Sequence, residues 1–502
     1  MLLIKQNLLS LSMIDTSSLK QFRTVGLILI TTLLVLVFRL PAVAQTPKHY
    51  TDLEFPLLAE ISLPEYERYE LTNGMVVYLM EDHQLPLVKG SALIKTGSRL
   101  EPAPKVGLAQ TTGSLMRLGG TQQHSANEIN QLLEQRAARV EVGIGTSSGS
   151  AGFNTLSEDL ETVFNLFSEV LQEPAFSPQL LGFIKNQQQG GIARRNDDPG
   201  SIASRELGKL IYGEDSPYAR TIEYETIDNI TRDDVVAFYE QYVRPENIIL
   251  GVVGDFEPNT MKSLIENTLG KWQPNTPEPE INIPSAQQKQ GQGVFFVNQP
   301  QLNQSNVLLG HLGGKFDSPD YPALSVVNGL LNGFGGRLFN DLRSRKGLAY
   351  TVYGFWSAGY DYPGVFIAGG QTASQTTVKF ITSLLDEIKR VQTTAISSDE
   401  LDYAKESILN SFVFKFENPS QTLSRLTTYE YYGYPQDFIF EYQKGVKATT
   451  IEDVQRVAQE YLKPENIVTL VVGNEEEINP PLSQLGQTVK SIDVTIQGQA
   501  KS

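Results

Sequence analysis

Apolar and polar positions along the chain follow two periods. Short runs of β-branched and aromatic residues, such as Gly74-Met-Val-Val-Tyr-Leu79 and Gly293-Val-Phe-Phe-Val297, predict strands. Elsewhere the spacing is helical: Leu160, Val163, Phe164, Phe167, Val170 and Leu171 share one face, as in a helix laid on a core. A longer pattern occurs twice. Thr231-Arg-Asp-Asp-Val235 leads through Tyr242-Val-Arg-Pro-Glu-Asn-Ile248 to Ile249-Leu-Gly-Val-Val-Gly254. Thr450-Ile-Glu-Asp-Val454 leads through Tyr461-Leu-Lys-Pro-Glu-Asn-Ile467 to Val468-Thr-Leu-Val-Val-Gly473, at an offset of 219 residues throughout. Each copy predicts a capped helix, a Pro-centred turn and a strand, and agreement over two dozen positions reads as internal duplication.

The duplication sets the domain organisation. Residues 273–293, with Pro274, Pro277, Pro279 and Pro284 among Gln, Asn and Gly, have the composition of a linker. They separate an N-terminal domain, 45–272, from a C-terminal domain, 294–490, with 491–502 as a tail. Strands and helices mixed within each half predict an α+β fold of two homologous halves, each a mostly antiparallel sheet covered by helices. A chain of 502 residues is beyond the roughly 250–300 at which single cores stop growing, so two domains are expected.

The first 44 residues stand apart. Lys20 and Arg23 precede an apolar run from Val25 to Phe38 that ends near Ala42-Val43-Ala44, the layout of a signal peptide cleaved before Gln45. The run of 14 residues is short against the roughly 20 that cross a bilayer, and an uncleaved N-terminal anchor is the alternative. The expected location is therefore periplasmic or otherwise extracytoplasmic, with no stable membrane span after cleavage. Cleavage removes four basic residues and one acidic one, which takes the formal charge from −16 to −19. Such acidity argues against a nucleic-acid surface, which needs clustered Lys and Arg. With no cysteine there is neither a disulfide framework nor a thiolate metal site.

A set of short motifs carries a family resemblance. Leu71-Thr-Asn-Gly74, Thr96-Gly-Ser98, Gly107-Leu-Ala109, Asp198-Pro199 and Ser216-Pro-Tyr-Ala-Arg220 stand in the order seen in the pitrilysin-like (M16) peptidases. Gly335-Gly336-Arg337-Leu338 and Arg345-Lys-Gly-Leu-Ala-Tyr350 extend the likeness into the second half, so that it spans about residues 60 to 480. In active members the Gly-Leu-Ala runs directly into His-x-x-Glu-His, where two His on one helix face bind zinc and the Glu activates water. This chain has Gln110-Thr-Thr-Gly113-Ser114. By register Gln110 and Ser114 stand for the two histidines and Gly113 for the catalytic glutamate. The resemblance puts the third ligand, a glutamate, at Gly190-Gly191, with Gly191 the closer match. A helix break or a close packing contact is the other account of the two glycines. The four histidines, His49, His83, His124 and His311, form no local pair, and the carboxylates and amides that remain hold zinc poorly.

Other family features persist. Arg343 and Tyr350 keep an Arg-x6-Tyr spacing that, in resembling peptidases, faces the zinc across a closed chamber and donates hydrogen bonds near the substrate carbonyl. On residue types alone they read as a solvated helix charge and a strand residue. Asn332-Gly-Phe-Gly-Gly336 resembles the glycine-rich loop of the non-catalytic partner in two-subunit members, and reads equally as a helix C-cap and turn. Arg337, Arg343, Arg345 and Lys346 predict either a local positive patch or a solvated helix face. The resemblance implies a non-catalytic subunit with no cofactor of its own. It would bind peptide substrate in a heterodimer with a homologous M16 subunit that has an intact His-x-x-Glu-His motif and carries the zinc. A peptide-binding scaffold outside proteolysis and a peptidase with a rebuilt metal site are the alternatives.

Overall fold

The computed structural model describes residues 62–498 apart from 275 and 278, and the segment read as a signal peptide lies outside the described residues. Every residue of Ile248–Gly254 and of Val468–Gly473 is buried. A strand buried along its whole length has to be covered on both faces, and these two strands sit inside the two sheets.

The first sheet joins β1 (Glu67–Glu70), β2 (Val76–Glu81), β3 (Leu87–Ile94), β4 (Arg139–Ile144), β5 (Gly149–Leu156) and β6 (Ile248–Gly254) in the order β1-β2-β6-β3-β5-β4. All its pairs are antiparallel except β2 with β6. The second half has β7 (Gly293–Asn298), β8 (Gln304–Leu312), β9 (Gly314–Lys315), β10 (Ala349–Trp356), β11 (Ala358–Gly359), β12 (Val365–Ala373), β13 (Val468–Gly473) and β14 (Val489–Ser491). Its main sheet runs β10-β12-β8-β13-β7-β14, while β9 and β11 form a separate ribbon. Read from the β4 and β10 ends, five positions of the two sheets correspond in order and direction. The sixth differs, because β1 is antiparallel to β2 whereas β14 is parallel to β7.

The first half carries α1 (Leu108–Leu118), α2 (Ala126–Glu134), α3 (Leu160–Gln172), α4 (Pro178–Ala193), α5 (Pro199–Tyr212), α6 (Tyr224–Asp228), α7 (Arg232–Tyr242) and α8 (Pro258–Thr268). In the second are α9 (Tyr321–Leu331), α10 (Thr377–Thr393), α11 (Ser398–Ser411), α12 (Pro419–Tyr432), α13 (Phe438–Ala448) and α14 (Ile451–Tyr461). The helices of the recognised repeat, α7 and α14, both start with a capping box, from Thr231 to Asp234 and from Thr450 to Asp453. The helical face seen in the sequence at 160–171 is α3, whose Val163, Phe164, Phe167, Val170 and Leu171 lie in the first core.

One helix of each half leaves its own sheet. From α5, Ile202, Leu207 and Ile211 pack on Phe295, Leu308 and Leu470 of the second sheet. From α12, Leu423 and Leu426 pack on Tyr78, Ile249 and Val253 of the first. Glycines give these helices room: a Cβ on Gly251 would come within 3.1 Å of Leu423 and Thr427, and one on Gly310 within 3.2 Å of Ile211. The exchange encloses a polar seam. Buried Arg99 pairs with Asp361 at 2.6 Å, Tyr218 stacks on Tyr362 at 3.9 Å, and Tyr431 Oη donates to Ser147 O at 2.7 Å. The Ser216–Arg220 motif thus has a structural role here, since Arg220 also donates to Ser98 O and Glu101 O at 3.1 and 2.8 Å.

The segments at the edges of the halves are less detached than their composition suggested. Within 273–293, Lys289 N donates to Ile211 O at 2.7 Å and Gln288 Nε2 to Asn466 O at 2.7 Å. The boundary drawn at 491 falls on the last residue of β14, Ile492 N continues the pairing to Phe296 O at 2.8 Å, and Ile496 packs on the first core. Alternating Ile492, Val494 and Ile496 attach this stretch to the body.

Because each sheet needs a helix from the other half, the two halves should unfold together. One of the two tryptophans reports on each core, Trp272 on the first and Trp356 on the second. Single-tryptophan variants are expected to show coincident denaturation midpoints. Leu423→Ala, which removes a buried contact of about 2–5 kcal/mol, is expected to lower both midpoints together.

Candidate functional site

Helix α1 is anchored from below. The buried Glu101 carboxylate accepts from Gly107 N at 3.0 Å and Ala109 N at 2.9 Å, satisfying two of the free donors at the helix start. Burial pushes the Glu101 carboxyl up from its ordinary value, and these amides oppose the shift. Leu108, Ala109, Leu115 and Met116 face the core. Positions 110 and 114, four apart, share another face, and there Gln110 and Ser114 line a cavity of about 610 Å³. Across it, α4 contributes Ile184, Gln188, Gly191 and Ile192, and Arg195 and Ile222 complete part of the wall.

The glycines at this site differ in kind. α4 runs unbroken through Gly190 and Gly191, and a Cβ on either would meet nothing within 4 Å. Neither a helix break nor a close packing contact accounts for them. Gly113, by contrast, is buried against β4, where a Cβ would stand 2.9 Å from Ile144 N and 3.2 Å from Gly143 Cα. The position that matches the family's catalytic glutamate has no space for a side chain while β4 stays where it is.

The donor set does not suit zinc. Gln110 offers an amide, Ser114 a hydroxyl and Gly191 nothing, whereas zinc sites are built chiefly on imidazole and thiolate, with a carboxylate only alongside them. Gln188 receives a bond from Thr111 Oγ1 at 3.2 Å, and Arg195 Nη1 is held by Ile222 O and Glu223 Oε1 at 3.1 and 2.8 Å. The described histidines lie in separate settings: His83 between Asp255 and Glu81, His124 on Glu169, and His311 buried between Leu312 O and Lys463 N. Among the described residues no group of three or more His, Cys, Asp or Glu is placed to hold a metal ion. His49 lies outside them.

The second-half motif forms its own cluster. Phe339–Arg345 is a π-helical turn, and its Arg343 places its guanidinium carbon 4.5 Å from the Tyr350 ring centre and 4.7 Å from that of Phe339. Phe334 extends the stack, edge-on to Phe339 at 5.1 Å. Tyr350 and Phe334 are 79% and 81% exposed, so this is an outward-facing ladder of rings around one cation. Tyr350 lies where the β10 register shifts, between Ala349 and Val352. Neither Arg343 nor Tyr350 lines the cavity at Gln110.

Asn332 ends α9 and fastens the glycine-rich loop, donating to Gly354 O at 2.6 Å and accepting from Gly354 N at 3.0 Å. Tyr403 Oη accepts from Gly335 N at 2.9 Å. The basic cluster read from the sequence is largely neutralised. Arg337 is buried on Glu400 at 2.7 Å, and Arg345 and Lys346 share Asp341 at 3.1 and 2.6 Å. Among the described residues only Arg343 of the four lacks a carboxylate. Sequence reasoning passed over Phe339, Arg195, and the acidic partners Asp341 and Glu400; of these only Asp341 has a sequence cue, its i,i+4 spacing to Arg345.

Gly113→Ala is expected to lower stability by about 1–3 kcal/mol through overpacking against β4, while Gly191→Ala raises it by about 0.5–1 kcal/mol by helix propensity alone, both read from denaturant midpoints. Arg337 holds the Glu400 carboxyl down at about 2, from 4.5. A depressed acid contributes stability above its unfolded value and loses it as pH falls through the folded one. The wild type should therefore lose stability between pH 4.5 and 2 that Glu400→Gln does not lose.

Comparison with known proteins places these features in a family. The family model described as Insulinase (Peptidase family M16) matches residues 76–213, and that described as Peptidase M16 inactive domain matches 229–408. A Bacillus subtilis protein named uncharacterized zinc protease YmxG is 23% identical over 361 residues, covering 72% of this chain and 86% of its own. Helicobacter pylori has a relative named non-peptidase homolog YmxG, 22% identical over 405 residues, 79% of this chain and 91% of its own. The crystal structure of a peptidase M16 inactive domain from Pseudomonas fluorescens superposes with a TM-score of 0.74 at 24% identity, covering 83% of this chain and all of that one. With both halves matched in order, and an amide, a glycine and a hydroxyl at the signature positions, the chain belongs to the M16 peptidase family as a member without its zinc-binding motif.

Proposed function

We propose that this chain is the non-catalytic subunit of a two-subunit M16 peptidase, exported and paired with a homologous chain that keeps His-x-x-Glu-His. The zinc belongs to that partner, and this chain helps to hold the peptide substrate. The observation that carries the reading is the contrast between a complete two-half fold and a former metal site that holds no zinc ligand and, at Gly113, no room for a catalytic base. The name of the Helicobacter pylori relative, a non-peptidase homolog, supports the same direction. Division of labour is chemically reasonable, because catalysis depends on donors fixed around the reacting carbonyl whichever chain provides them.

Arg343 and Tyr350 are the groups this chain offers to substrate. Ring stacking orients the guanidinium and leaves its edges free to donate, and the Tyr350 hydroxyl is open to solvent. No helix among the described residues is long and apolar enough to cross a membrane, and export rests on the N-terminal segment outside them.

Co-expression with a homologous His-x-x-Glu-His chain is expected to yield a heterodimer that cleaves peptides which this chain alone leaves intact. In that heterodimer Tyr350→Phe and Arg343→Ala are expected to lower kcat/KM by about ten- to a hundredfold without dissociating it, as checked by size-exclusion chromatography. Full turnover in both variants would instead favour a scaffold with no part in proteolysis.

A further inference from the structure

The duplication reaches further back than the segment recognised in the sequence. α5 and α12 start 220 residues apart, both with Pro at the first position, and both are capped by the preceding side chain, Asp198 onto Ser201 N and Asn418 onto Gln421 N. At the same offset Arg195 matches Lys415 and Arg205 matches Arg425. The bond between the two positions is also repeated: Arg205 Nη1 donates to Arg195 O and Arg425 Nη2 to Lys415 O, each at 3.1 Å. Each half therefore sets two cations beside the helix it exchanges.

What meets those cations differs. In the first half Arg195 binds Glu223 at 2.8 Å and Arg205 binds Glu206 at 2.7 Å. The cavity of about 430 Å³ that both arginines line is also bordered by the chain's own segment Asp493–Thr495, which is tied down by Asn196 Nδ2 donating to Val494 O at 2.6 Å. In the second half Lys415 and Arg425 line a cavity of about 580 Å³ with Tyr360, Phe414, Ser420 and Ser424. Leu426 stands where Glu206 would recur, and among the described residues neither cation reaches a carboxylate. Partial burial, and then the charge of Arg425, push the Lys415 ammonium down from its ordinary value. Two half-buried like charges without a counter-ion are costly, and here they persist in a chain of net charge −16.

We propose that the cavity at Lys415 and Arg425 binds a carboxylate carried on an extended peptide segment of another chain: the carboxylate takes the place that Glu223 and Glu206 fill for the matching cations of the first half, and the segment lies at the cavity as Asp493–Thr495 lies at the first. The hydroxyls of Ser420 and Ser424 supply further donors, and the rings of Tyr360 and Phe414 supply apolar walls for the peptide stem. The site is separate from the Gln110 cavity and from Arg343 and Tyr350, and it does not rest on the subunit reading above.

The test is fluorescence anisotropy on the full chain, with a labelled octapeptide containing two glutamates and its glutamine analogue as probes. The glutamate peptide is expected to bind more tightly, and Lys415→Gln and Arg425→Gln are each expected to weaken it about tenfold or more, the scale of a charge-assisted bond. Lys444→Gln, outside the lining of this cavity and already paired with Glu441, should leave it unchanged. Relief of like-charge repulsion means that Lys415→Gln should not lower the thermal midpoint, which separates lost binding from lost folding. Equal binding of the two peptides, or full binding by the Lys415 variant, would overturn the proposal. So would displacement of the peptide by inorganic phosphate at matched ionic strength with equal affinity, which would mark a small-anion site.

Discussion

Each sheet in this protein is closed on its outer face by a helix that the other half supplies, and most of the architecture follows from that exchange. It permits β6 and β13 to be buried on both sides, so their sequences read as near-continuous apolar runs, interrupted in β13 by Thr469. It sets the exchanged helices close against Gly251 and Gly310, where a Cβ would come within 3.1 Å of Leu423 and 3.2 Å of Ile211. It also brings polar groups of the two halves face to face, and they are satisfied by pairs such as Arg99 with Asp361. None of these contacts involves a metal. Stability on this scaffold comes from apolar burial and reciprocal covering, so ligand residues can be lost without loss of the fold.

The same separation is visible within α1. Its inner face is held by the core and its start by the Glu101 carboxylate, whereas Gln110 and Ser114 line an open cavity. Substitution there is cheap. Gly113 is different: it lies against β4, and the close approach of backbone to backbone replaces the space that a glutamate would occupy. At the register that the resemblance gives, the signature positions thus lack the family's ligand side chains and, at 113, the space for its carboxylate.

Much of the fold was legible in the sequence because its signals are local. The 219-residue repeat, the capping boxes at Thr231 and Thr450, and the face of α3 each depend on neighbours in the chain. The exchange was not legible, since the apolar stripe of α5 looks the same whichever sheet it covers. Gly113 and Gly191 are identical letters with opposite surroundings, one pressed on a strand and one facing open space. The ion pairing of the basic cluster was hidden for a similar reason. Glu400 lies 63 residues from Arg337, and Asp341 takes both Arg345 and Lys346. Pairing of this kind is set by tertiary packing. The cation pair at 415 and 425 became recognisable only when the structural equivalence of α5 and α12 extended the repeat.

Among its described residues this polypeptide has no place to hold zinc beside a base. Zinc titration of the purified lone chain by calorimetry, with metal analysis of the dialysed product, tests it most directly. No stoichiometric uptake is expected, and no change on treatment with chelator. One zinc per chain, at full occupancy and held by residues of this polypeptide, would contradict it.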